Sequence, residues 1–140
     1  MHTVQTSRQI PASPEAVFAA MADPQRLARW WGPDGFSNSF EKCDFRPGGK
    51  WKFTMHGPDG ASYPNESVFF AIEAGRKVVI DHVCQPFFRL TVELQPSGLG
   101  TKVHWTQVFA DAAVAVAVAH IVEPANDQNL ARLAAEVAAT

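Results

Sequence analysis

A histidine at position 82 and a glutamate at position 66 supply the side chains of a general base and of the carboxylate that would orient it, because imidazole exchanges protons near neutral pH. Gln107 adds a neutral group that both donates and accepts. The residues expected around these three are apolar: Trp31, Trp51, Phe70, Phe88, Leu90 and Trp105. A few polar groups among rings suit two chemistries. One is the binding of a small, largely hydrophobic molecule oriented by hydrogen bonds. The other is acid–base catalysis on such a molecule, of a cyclase or hydrolase type, with His82 and Glu66 as the catalytic candidates.

Other chemistries lack their signatures. The chain has no GxSxG nucleophile turn, no HExxH and no phosphate-binding glycine loop, since Gly48-Gly49 after Pro47 reads as a turn into a strand. His56, Glu66, His82 and His104 do not make a metal set, because His104 has the opposite strand parity to Trp105 and should point outward. No cofactor is implied. Cys43 and Cys84 are far apart with no CxxC around them, and read as buried reduced thiols.

Whether His82 meets Glu66 depends on strand register. A loop at residues 73–77 puts Ile72 opposite Val78, Phe70 opposite Ile80 and Val68 opposite His82, with Glu66 diagonally beside the histidine. A turn at residues 84–86 pairs Val78 with Val92, Ile80 with Leu90 and His82 with Phe88. A turn at residues 96–100 then pairs Val92 with Val103, Leu90 with Trp105 and Phe88 with Gln107. All these side chains share one face, polar at one end only. An unpaired buried polar group costs roughly 1–3 kcal/mol, so Glu66, His82 and Gln107 call for an opening to water or ligand. The other reading leaves Glu66 and His82 bonded to each other or at an exposed sheet end, and a one-residue bulge would turn either outward.

The elements that must position these residues follow from local signals. Residues 3–10 can form a strand; Ser13-Pro14 then caps a helix over residues 14–22, and Asp23-Pro24 caps a second, short one. Leu27, Trp30 and Trp31 share a face of it, and Gly32-Pro33 stops it. Such an aromatic face beside a Gly-Pro loop is a candidate lid over a hollow surface. The tetrapeptide GPDG occurs at residues 32–35 and again at 57–60, which is turn chemistry used twice. Strand patterns dominate residues 35–109, with Trp51, Phe53 and Met55 on one face. The end reads as helical despite the two-residue alternation of Val114, Val116 and Val118 with alanine. Pro124 is expected to break that helix before the stripe Leu130, Leu133, Ala134 and Val137. The fold class is therefore α+β.

A chain of 140 residues with 46% hydrophobic and 19% charged residues is expected to be a single globular domain over residues 1–140. A net charge of -2 with scattered Lys and Arg excludes the basic stripe that nucleic acid requires. No leader pattern opens the sequence and its longest apolar stretch, residues 112–119, is too short for a membrane span, so a cytoplasmic protein is expected, with neither nucleic acid nor membrane as partner.

Three segments carry a family resemblance: PASPEAVFAAMADPQRLARWWGPDGF, FRPGGKWKF and VEPANDQNLARLAAEVA. With the order of elements, they resemble the START-like (SRPBCC) superfamily, in the branch related to the C-terminal domain of the activator of Hsp90 ATPase, over residues 4–138. The resemblance implies a helix-grip fold. A curved antiparallel β-sheet wraps around the C-terminal α-helix, two short helices follow the first strand, and a cavity lies between sheet and helix. It implies hydrophobic-ligand binding, or a co-chaperone-like module that binds a protein partner.

Overall fold

The computed structural model describes residues 3–139; Met1, His2 and Thr140, which form the ends of the expected 1–140 domain and the start of the expected leader-free N-terminus, lie outside them. Strand β1 (Thr3–Ile10) is followed by α1 (Pro14–Ala22) and α2 (Pro24–Trp30). Six strands then run in succession: β2 (Ser37–Cys43), β3 (Lys50–His56), β4 (Ser62–Glu73), β5 (Lys77–His82), β6 (Phe88–Ser97) and β7 (Gly100–Phe109). Helix α3 (Ala112–Ala138) closes the chain. The seven strands form one antiparallel sheet in the order β1-β7-β6-β5-β4-β3-β2. Because β1 and β2 lie at opposite edges, α1 and α2 must carry the chain across one face of the sheet. This is the expected curved sheet with a C-terminal helix and two short helices after the first strand.

The helices start where their caps dictate. Ser13 accepts from the Ala16 N–H, Asp23 from Gln25 and Asp111 from Ala113 and Val114, each satisfying a donor that the first helical turn leaves open. Pro14 and Pro24 occupy first-turn positions that need no N–H. The break expected at Pro124 does not occur, and α3 runs unbroken through it. Both Pro124 and His120, whose carbonyl loses its helical donor, are exposed, so water can serve that oxygen. Val114, Val118 and Val122 form a stripe on one side of the helix against Val4, Phe109 and Ala115, while Val116 is exposed.

Register agrees with expectation where turns are tight and departs where the chain bulges. β5 and β6 pair Val78 with Val92, Ile80 with Leu90 and His82 with Phe88, as expected. β6 and β7 turn on two residues, Gly98-Leu99, between the paired Ser97 and Gly100, so the expected pairs slide by two. Leu90 faces Gln107 and Val92 faces Trp105, and an even slip keeps each side chain on its face. In β4 a bulge between Phe69 and Ala71 shifts the register by one. Phe69 now faces Ile80, Ser67 faces His82, and Phe70 and Glu66 turn to the outer face.

The bulge has a cause in the RPGG turn. Gly48 donates to the Phe69 carbonyl at 2.7 Å and the Phe69 N–H donates to Gly49 at 2.9 Å, fixing Phe69 against the start of β3. A Cβ at Gly49 would lie 1.9 Å from the Asp44 carbonyl oxygen, so only glycine permits this approach. The two GPDG turns also meet, since a Cβ at Gly35 would stand 3.1 Å from the Pro58 Cβ.

Candidate functional site

The four tryptophans converge beneath α2. Trp31 lies 4.8 Å from Trp51 and 5.8 Å from Trp105 between ring centroids, and Trp30 lies 5.6 Å from Trp31. The Trp30 indole donates to the Ala20 carbonyl at 2.9 Å, which seats α2 on α1. Trp51 is stacked between Phe53 and Phe69 and has no exposed surface.

The roof over these rings is held, not free. Arg132 on α3 donates to the carbonyls of Arg29, Trp31, Gly32, Pro33 and Phe36 at 2.8–3.2 Å, five acceptors from the turn that ends α2. Asn129 accepts from the Gly32 N–H and donates to the Trp30 carbonyl. Glu136 receives Arg29 on both carboxylate oxygens and Arg26 on one. The Arg29 hydrogen bond is the main reason its carboxyl lies below the usual range, with burial opposing it.

Below this roof lies a cavity of about 470 Å³ between the sheet and α3. Trp31, Phe53, Ile80, Leu90 and Trp105 give it an apolar interior. Ser62, Tyr63, Pro64, Gln85 and Pro86 also line it and are exposed, so they form its mouth. Its buried polar residues are Ser67, His82, Gln107, Asn126 and Asn129. Among the described residues, no Asp, Glu, Lys or Arg lines it.

His82 stands at one end, stacked on Phe88 with centroids 4.5 Å apart. Its Nδ1 lies 2.7 Å from the Pro86 carbonyl oxygen and its Nε2 2.7 Å from Asn65 Oδ1. Cys84 Sγ is 3.4 Å from the same Nε2. Both oxygens accept, so the neutral ring donates to one of them and only the imidazolium to both. Burial opposes the charge and prevails: it lowers the His82 pKa, while the backbone contacts at Pro86 and Cys84 work the other way.

Of the residues expected to meet here, Trp31, His82, Phe88, Leu90, Trp105 and Gln107 do line the cavity. Three do not. Glu66 points outward opposite Lys52, its Oε1 4.0 Å from Nζ, so it cannot orient His82. Phe70 is exposed on the outer face under the Arg89 guanidinium, which itself pairs with Asp81. Trp51 is core, one layer behind Trp31. The β4 bulge accounts for the first two. His104 bonds Gln95 and His56 contacts Ser39 and Ser62. Cys43 and Cys84 are half-buried free thiols, and burial pushes Cys43 up to about 11.

Asn65, Asn126 and Asn129 are site residues that the sequence reading misses. Asn126 and Asn129 continue the stripe of Leu130, Leu133 and Val137 backwards along α3, all buried. The available signal is their spacing: Asn126 stands four residues before Leu130 and Asn129 four before Leu133, polar residues on the apolar stripe.

A curved antiparallel sheet closed over a long C-terminal helix, with a cavity between them, defines the class as START-like (SRPBCC). Residues 11–138 match the family described as activator of Hsp90 ATPase homolog 1-like protein, and the chain belongs to that family. Among solved structures it resembles a protein from Arthrobacter aurescens, with 25% identity, a TM-score of 0.90, and coverage of 99% of this chain and 87% of that one. A protein from Nitrosomonas europaea gives 18% identity, a TM-score of 0.86 and coverage of 96% and 93%. An AHSA1-like protein from Aeromonas hydrophila gives 21%, 0.76, and 98% and 92%. No curated protein matches it in sequence. No helix among the described residues is long and apolar enough to cross a membrane.

Proposed function

We propose that this protein binds a small, largely hydrophobic molecule in the cavity between sheet and α3, as a cytoplasmic single-domain binding module. The observation that carries this reading is the cavity itself: about 470 Å³, within the range of small-molecule sites. Its mouth is exposed, so water enters it rather than leaving it empty. Water can bond the amides of Gln107 and Asn126 but gains little beside Ile80 and Trp105. An apolar ligand therefore replaces poorly bonded water.

The cyclase or hydrolase reading loses its catalytic pair, because Glu66 lies on the outer face. The family's relation to an activator of Hsp90 ATPase keeps a protein-binding role as the alternative. Thermal unfolding with a panel of neutral sterols, aromatic polyketides and fatty acids separates the two. Cavity binding predicts a raised melting temperature for some members, abolished in Leu90→Trp, whose larger side chain fills the space. No shift with any member overturns the small-molecule reading in favour of the protein partner.

A further inference from the structure

The reading above leaves the ligand's polar group open, and the amides of β7 and α3 narrow it. Asn126 Nδ2 donates to Gln107 Oε1 at 3.0 Å. That single bond is half of the reciprocal pair two side-chain amides can make. Gln107 Nε2 and Asn126 Oδ1 are left with no partner among the described residues. Both residues line the cavity, and both are more than nine-tenths buried, at 7% and 9% exposure. Neither free atom belongs to the polar atoms sealed from solvent without a partner, which are Asn38 Oδ1 and the Trp51 and Trp105 indole nitrogens. They retain surface, and the cavity is the space both residues line.

A donor and an acceptor carried on one bonded pair of amides match a ligand group that offers an acceptor and a donor side by side. The lining adds a second constraint, since among the described residues it contains no Asp, Glu, Lys or Arg. An ionised carboxylate or ammonium there would lose its hydration with no counter-charge. Burial also favours the neutral form of His82, the one imidazole in the lining among the described residues.

We propose that the cavity selects uncharged, mostly apolar molecules bearing a carboxamide or lactam edge, whose carbonyl accepts from Gln107 Nε2 and whose N–H donates to Asn126 Oδ1. This selectivity rests on the cavity being a ligand site. It refines that reading by naming the group at the polar end. A matched carboxylic acid is disfavoured, because protonating a carboxyl of ordinary pKa at pH 7.5 costs about a thousandfold in affinity.

Four probes with one ring system test this: naphthalene-2-carboxamide, naphthalene-2-carboxylate, methyl 2-naphthoate and 2-methylnaphthalene, titrated at pH 7.5 by tryptophan fluorescence. The expected result is a carboxamide affinity about tenfold or more above the other three. Gln107→Met should remove that preference and retain 2-methylnaphthalene binding. Asn126→Leu provides the same comparison if the first variant folds poorly. Equal affinities, a carboxylate preference, or a preference that survives both substitutions overturns the amide assignment and leaves the cavity as a ligand site. Failure of all four probes, with the panel of sterols, polyketides and fatty acids also inert in thermal unfolding, overturns the ligand reading and this one with it.

Discussion

His82 is caught between opposing demands, with an acceptor at each ring nitrogen and an apolar cavity around it. Folding lowers its pKa from about 6.5, so near and below that value the unfolded chain binds more protons than the folded one. The stability due to the neutral ring is fully present above about pH 6.5 and is lost as pH falls through the folded pKa. Urea unfolding between pH 7 and pH 5 should therefore show stability falling with acidity, by at most about 1.4 kcal/mol per pH unit from this group. His82→Asn should flatten that slope; an unchanged slope contradicts the assignment. The loss linked to Glu136, whose carboxyl is also held low, falls at more acid pH, below about 4.5. Glu66→Gln should alter neither this slope nor stability by more than about 0.5 kcal/mol, because the side chain is exposed and its Lys52 contact is long.

At the scale of elements, the turn after α2 is fixed by α3. Arg132→Met should cost on the order of 3 kcal/mol in denaturant unfolding, since five carbonyls lose a charged donor together. A cost under 1 kcal/mol would show the roof held elsewhere. Pro124→Ala should stabilise α3 by up to about 3 kcal/mol by restoring a donor for the His120 carbonyl; a loss of stability would mean the proline is required. The elements legible in the sequence were those with local signals. Ser13-Pro14 and Asp23-Pro24 place the short helices because cap and proline act within one turn, and the β5–β6 register follows from its short connection. The β4 bulge was not legible, because Phe69 is fixed by backbone bonds to Gly48 and Gly49, far away in sequence. That one shift put Phe69 where Phe70 was expected and Asn65 beside His82 in place of Glu66. Pro124 misled for the opposite reason, because its cost is borne on a solvated helix face that sequence periodicity does not reveal.

For the whole molecule, the sheet, the held roof and α3 frame a hollow of about 470 Å³ that opens through an exposed mouth. The central claim is that this hollow, and not the outer face of the sheet, takes a small uncharged molecule. The most direct test is a two-dimensional amide NMR titration of ¹⁵N-labelled protein with a saturating neutral aromatic amide, naphthalene-2-carboxamide. The account predicts that the side-chain amides of Gln107 and Asn126 and the indole N–H signals of Trp31 and Trp105 shift together, with one affinity, while outer-face residues such as Ser7, Glu93 and His104 stay in place. No shift at the cavity residues, or shifts confined to the outer face, would contradict it.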